Sequence, residues 1–248
     1  MFRRTALIFA MLGVSLVLLS STLGADTLYT LKSHTDAFEV QGHKQPAEDT
    51  DITVWVAGDK LRRDQGGQSM IFRPDKSRFY ILDHEDKTYS ELPLPIDLRK
   101  LMPPGNEALA DQIAASMKVT VQVTPKTETR QVGQWNAKRY DVSVQSAMGM
   151  KIATTLWVSR DVEGFQSFNR LSATMASLQP GSEAWVQELQ KIDGFPVLQE
   201  SKVDALGAKF GTREELVAIE TKAAPAGAFD LPAAYKAKPY NPIAGMSR

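Results

Sequence analysis

The sequence predicts an α+β fold built on an antiparallel β-sheet. Three observations predict it. Val119, Val121 and Val123 alternate with Thr120, Gln122 and Thr124, the pattern of a strand with one buried and one wet face. Short strand-like runs are separated by turn clusters, Pro74-Asp75-Lys76-Ser77 and His84-Glu85-Asp86-Lys87 among them, as in hairpins. Two later segments carry apolar residues three and four apart, the helical period.

The 248-residue chain opens with Arg3 and Arg4, an apolar run from Ala6 to Leu19, and then Ser20, Ser21 and Thr22. That is the layout of a secretory signal peptide over residues 1–25, with cleavage expected after Gly24 or Ala25. The apolar run is short for a spanning helix, which needs about 20 residues. No stable membrane insertion is therefore expected after cleavage. With no cysteine, the mature chain has neither disulfides nor a lipid-modified N-terminal cysteine, and the expected location is the periplasm. Once Arg3 and Arg4 are removed, the 29 basic residues fall to 27 against 29 acidic ones. No basic stripe points to nucleic acid.

In chain order, "LYTLKSHTDAFEV" and "DITVWVAGDKLRRD" read as the first two strands, and "QSMIFRPDKSRFYILDHEDKTYSEL" as three more. "PLPIDLRKLMPPGNEALADQIAASM" reads as a helical interruption broken at Pro103-Pro104-Gly105, with Asn106 as N-cap and Leu109, Ile113 and Met117 on one face. "KVTVQVTP", a hairpin turning near Gly133, and "MKIATTLWVSRDV" return to strands. Phe165, Phe168, Leu171, Met175 and Leu178 then mark one amphipathic helix, and Trp185, Leu189 and Ile192 a second. Strands close the domain: "FPVLQESKV", the weaker "AKFGT", and "REELVAIETKA". The expected organisation is a single domain over 26–236, with a loose tail over 237–248.

The run Asp83-His84-Glu85-Asp86 reads as a turn, because Asp side chains bond their own backbone and adjacent residues diverge. A small stability change is expected on replacing His84. No metal site is expected, since His34 and His43 have no zinc-type spacing with it. "DQGGQS" reads as a hairpin turn and "KLRRD" as a solvated face. There is no G-x-S-x-G, no cysteine, and no histidine beyond His84. No catalytic residue, metal or cofactor is expected, and the chain does not read as an enzyme.

The ordered pieces "WVAGDKLRRD", "GGQSMIFRPD", "RFYILD" with "KTY", "AKRYDV", "LWVSRDV", "GFPVL" and "FDLPAAY" resemble a domain-of-unknown-function family of Gram-negative periplasmic proteins. That family is similar in pattern to the LolA/LolB-like lipoprotein carriers and to related envelope sensors. The resemblance covers about Leu28 to Tyr235. It implies a curved antiparallel sheet, an unclosed barrel, with helices packed on the concave face. It also implies an apolar cleft between sheet and helices, for which Trp157, Phe165, Phe168, Leu171, Met175 and Trp185 are the lining candidates. The expected function is then binding of a lipid, acyl chain or lipidated peptide, with the helix from Phe165 to Leu178 as a lid. The alternative is an envelope sensor or protein-interaction module whose cleft is filled by its own side chains, with an envelope protein as partner.

Overall fold

The computed structural model describes residues 26–240, except 41, 102–104, 106–110, 113–114, 116–117, 148, 179–181 and 206. The expected signal peptide, the break at Pro103-Pro104, the Asn106 cap and the stripe Leu109, Ile113 and Met117 lie outside the described residues.

Fourteen strands are described: β1 (Thr27–Thr35), β2 (Phe38–Val40), β3 (His43–Gln45), β4 (Glu48–Ala57), β5 (Lys60–Gln65), β6 (Gln68–Arg73), β7 (Arg78–Asp83), β8 (Thr88–Pro93), β9 (Val119–Val132), β10 (Trp135–Ser146), β11 (Lys151–Ser159), β12 (Phe195–Ala205), β13 (Ala208–Thr221) and β14 (Lys236–Ala237). Three α-helices are described, α1 (Leu98–Leu101), α2 (Phe165–Ser177) and α3 (Glu183–Leu189), besides a 3-10 helix at Pro74–Lys76. Twelve of the strands form one sheet in the order β14-β8-β7-β6-β5-β4-β1-β13-β12-β11-β10-β9, and β2 pairs with β3 alone. The sheet is unclosed, ending at β14 and β9. All pairs are antiparallel except β14 with β8.

Three sequence readings are adjusted by this topology. The first strand ends at Thr35, because Asp36 leaves it to donate its N–H to Gly211 O at 2.9 Å. "KVTVQVTP" and the following hairpin arm are one strand, β9, bulged opposite Lys138 to Tyr140. "AKFGT" and "REELVAIETKA" are likewise one strand, β13.

Alternation gives the sheet two faces. On the first, Tyr29 and Leu31 of β1 are flanked by Ile52 and Val54 of β4 and Leu216 of β13, all buried. Helix α2 lies here: Leu171 is buried in the same cluster, and Phe165, Phe168 and Met175 pack against it. Helix α3 serves the far end of this face, where Ile192 just beyond it meets Val123, Tyr140 and Val142. Glu188 of α3 also accepts the N–H of Val123 at 2.8 Å, covering part of the free edge of β9.

The second face is shared by two halves of the sheet that differ in cover. Over β4–β8 it carries Trp55, Ile71, Tyr80 and Leu82, and a strap formed by residues 222–238 lies across them, seating Ala228, Phe229, Leu231 and Tyr235. Lys222 N–H and Ala224 N–H start the strap on Asp26, bonding its main-chain oxygen (3.0 Å) and side chain (2.8 Å). Beyond Tyr235 the strap becomes an edge strand, and Lys238 N–H still bonds Tyr89 O at 2.8 Å. Over β9–β13 no described segment lies across this face in the same way.

Candidate functional site

The six residues read as cleft lining fall into two groups. Phe165, Phe168, Leu171 and Met175 share the packed side of α2. Phe168 sits between Tyr29 and Phe195, with ring centroids at 5.7 and 4.6 Å, while Tyr29 stacks on Phe195 at 4.7 Å. Burial, with the nearby Glu163 second, pushes the phenol of Tyr29 up to about 12, as expected of a dry layer. Trp157 is 9% exposed and belongs to the same cluster, but its ring is capped by the guanidinium of Arg130 at 4.0 Å. Trp185 is half-buried on α3 and stands outside the core clusters. None of the six is among the residues that line four of the concavities formed by the described residues.

The charged motifs behave differently from a solvated face. On β5, Arg62 bonds both carboxylate oxygens of Asp64 through Nε at 2.9 Å, and its Nη1 donates to the strap carbonyl of Ala228 at 2.7 Å. On β6, the buried Arg73 holds Asp75 through Nε and Nη2, both at 2.8 Å. Its Nη1 donates to the next strap carbonyl, Phe229 O, and to Asp230, both at 2.9 Å. In each case an Arg-x-Asp pair, within β5 for Arg62 and across the end of β6 for Arg73, spends remaining N–H groups on the main chain lying above. The hydrogen bond from Arg73 holds Asp75 down at about 2 and lowers Asp230 as well. Carboxylates depressed in the folded state stabilise it above their unfolded pKa, near 3.8, and lose that contribution as pH falls through the folded value. Melting followed between pH 5 and pH 2 should therefore fall steeply below pH 4, and less steeply in Asp75→Asn. Parallel curves for the two proteins would contradict this role.

His84 requires a correction. It lies in the expected turn, but it is not a free turn residue. Its Nε2 meets Ser69 Oγ at 2.6 Å, and its Nδ1 meets the hydroxyl of Tyr235 on the strap at 2.7 Å. Ser69 Oγ donates to Asp64 and also accepts from Arg62 at 3.2 Å. Because the only serine proton goes to Asp64, the network assigns Nε2–H of His84 as a donor to Ser69. Ser69 is 0% exposed. A histidine that donates to a buried serine cannot take that serine's proton, so this serine–histidine contact is a structural bond and not a nucleophile with its base. Replacing His84 by Ala should cost about 1–2 kcal/mol, the loss of two partly buried hydrogen bonds. A urea midpoint within error of wild type would restore the free-turn reading. The sequence carried one unused signal for this network: His84, Arg62, Arg73 and Tyr235 all belong to or adjoin the motif pieces.

The uncovered half of the second face forms a trough across the strands. Cross-strand partners place Gln122, Ser143, Ala153, Lys202 and Gly211 in one row, and the small side chains among them make its floor. One part encloses about 760 Å³ and is walled by Arg139, Asp141, Thr155, Glu200 and Arg213. It continues into a second part of about 640 Å³ beside Lys151, Asp204 and Phe210. Arg139 bonds Asp141 at 2.8 Å, and Arg213 bonds Glu215 at 2.7 Å and Glu200 at 2.8 Å. No group of three or more potential metal-ligating side chains occurs among the described residues.

The family described as Domain of unknown function (DUF4412) matches residues 43–235. No curated protein matches the chain. Among solved structures, the chain is similar to one described as the structure of PNGF-II, at 12% identity and a TM-score of 0.36, over 85% of this chain and 31% of that one. The chain thus spans about a third of that protein's length. It is also similar to a domain described as an outer membrane lipoprotein-sorting protein domain from Vibrio parahaemolyticus, at 8% identity and a TM-score of 0.32, over 82% of this chain and 89% of that one.

Proposed function

We propose that this chain, which belongs to the DUF4412 family, is an exported binding module of the bacterial cell envelope and not an enzyme. Export is supported by the charged, apolar and small-residue order of residues 1–25 and by the absence of cysteine. The observation that carries the binding reading is the contrast between the two sheet faces. Under α2 the face is filled by the chain's own rings, Tyr29, Phe168 and Phe195. On the opposite face the trough over β9–β13 is open and lined by hydrogen-bonding side chains. The module reading therefore places the partner on the trough, and the apolar layer serves as core.

A second reading keeps the acyl-chain cleft of the LolA/LolB-like pattern, with α2 as its lid. It is favoured by one observation: Phe165, Phe168 and Met175 remain half-buried on the packed side of α2. The helix also starts at Gly164, in the left-handed region at φ 75°, with no side-chain cap. Native mass spectrometry of protein purified gently from the envelope separates the two. The module reading expects the bare chain mass, beginning near Asp26. A co-purifying lipid would favour the lid. Intact Met1 in the membrane fraction would sink the export reading.

A further inference from the structure

One end of the trough is walled by the weak strand piece "AKFGT" and by the residues that leave β1. Asp36 follows β1 and donates its N–H to Gly211 O at 2.9 Å. The return bond runs from Gly211 N–H to the carboxylate Oδ2 of Asp36, at 3.0 Å, in place of a main-chain oxygen. The chain then turns off into the hairpin of β2 and β3, which pair only with each other. Phe38 of that hairpin stacks on Phe210 of β13 at 4.3 Å. A Cβ built on Gly211 would overlap Asp36 Oδ2. Glycine is therefore needed here for the close approach of the carboxylate, at a cost in strand propensity. Asp36, Phe210 and Gly211 all line the trough.

His34, also on the trough wall, sits between two carboxylates. Its Nδ1 meets Asp49 Oδ1 at 2.8 Å and its Nε2 meets Asp36 Oδ1 at 3.4 Å. A neutral imidazole has one N–H and one lone pair, so in either tautomer one ring nitrogen would turn its lone pair on an anion. Only the imidazolium, with two N–H groups, satisfies both contacts. The hydrogen bond with Asp49 is the main cause that raises the pKa of His34; partial desolvation opposes it, and Asp36 adds to it. Among the other charged groups on this face, Lys32 lies opposite Asp51, and Arg213, opposite His34, is bonded to Glu200 and Glu215. The hairpin adds Glu39, His43 and Lys44, all exposed. Asp36 and Asp49 are thus the anions that hold the proton on His34.

We propose that His34 is a proton-operated latch on the β2–β3 hairpin. Charged, it ties the start of β4 to Asp36 and so keeps Asp36 on Gly211 and the hairpin on β13. Neutral, it repels one of its two carboxylates, and the hairpin loosens at the end of the trough. Among the described residues, the hydrogen bonds and ring contacts that seat the hairpin on β13 are the Asp36–Gly211 pair and the Phe38–Phe210 stack. So lightly held an element belongs to the low-stability end of a fold, where local opening occurs. A group whose pKa is raised on folding stabilises the folded state fully below its unfolded value, near 6.5, and loses that contribution as pH rises through the folded value. The hairpin is therefore latched in mildly acidic solution and loosened toward alkaline pH. The latch belongs to the fold and does not rest on what the trough takes.

The test is an NMR titration of the full chain without its signal segment, from about pH 5 to about pH 9, the range in which a histidine changes charge. The ring Cε1–H signal of His34, identified by its loss in His34→Gln, should titrate with a midpoint above 6.5. The amide of Gly211 should shift with the same midpoint. Hydrogen-exchange protection of the β2 and β3 amides, corrected for the intrinsic rate, should fall about tenfold across that midpoint. In His34→Gln the Gly211 shift should vanish and the hairpin should be weakly protected at every pH. Asp49→Asn replaces a side chain that is 86% exposed and spares the fold. It should lower the His34 midpoint and carry the Gly211 and hairpin responses down with it, which keeps the test decisive even if His34→Gln does not fold. A His34 midpoint at or below 6.5 would overturn the latch. So would a raised midpoint with the Gly211 amide and the hairpin protection unmoved, because His34 would then be a surface ion pair only.

Discussion

Gly194→Ala should destabilise the protein by about 3–5 kcal/mol, the sum expected from a forced left-handed residue and an overpacked site. Gly194 has φ 139°, a conformation that residues with a Cβ rarely adopt. A Cβ built there would lie 2.6 Å from the main-chain oxygen of Ser159 and 2.8 Å from Val158 Cγ1. Ser159 cannot yield, because it is buried and its strand is paired with Phe195. The position also anchors α2, since the side-chain amide of Asn169 donates to Gly194 O at 3.1 Å. A loss of this size is a large share of the 5–15 kcal/mol that holds a typical domain together. The expected result is a strong drop in the yield of folded protein and a urea midpoint far below wild type. A midpoint within about 1 kcal/mol of wild type would show that the start of β12 relaxes freely.

Phe168→Ala has the second largest expected effect, and it discriminates between the two functional readings. In the self-filled layer its ring contacts both Tyr29 and Phe195. Truncation removes those contacts and leaves a cavity between α2 and the sheet. Fully buried Phe→Ala changes cost about 3–5 kcal/mol, and half-burial of Phe168 puts the expected loss at the lower end, about 2–3 kcal/mol. The wild type should bind no acyl-chain fluorophore. If the change costs under about 1 kcal/mol and wild type binds such a probe that the variant binds differently, α2 is a lid and the lipid-carrier reading takes precedence.

Much of the fold was legible because alternation and helical spacing are local signals. Val119, Val121 and Val123 announced a strand with one buried face, and Phe165, Phe168, Leu171 and Met175 announced a helix with one apolar side. The turns at 74–77 and 84–87 were likewise legible from their residues. What these signals do not contain is the identity of the cover. "KLRRD" reads as a solvated face until Arg62 meets Ala228, 166 residues later. His84 reads as a turn residue until Tyr235 arrives, 151 residues away. The trough was illegible for the same reason: Gln122 and Thr124 of β9, Asp141 of β10, Glu200 of β12 and Arg213 of β13 become neighbours only through strand pairing.

The sequence by itself determined the sheet-and-helix composition, the faces of the main strands and the apolar side of α2, because a side chain's direction follows from the backbone period of its own segment. The tertiary structure alone decided which face each distant segment covers: β1 between β4 and β13, α2 on one side, the strap on the other, and half of that second side left open by the described residues. Those choices depend on long-range pairing and on Arg62 and Arg73 finding carbonyls far along the chain. No local pattern encodes them, because the energy of such a contact exists only once both partners are in place.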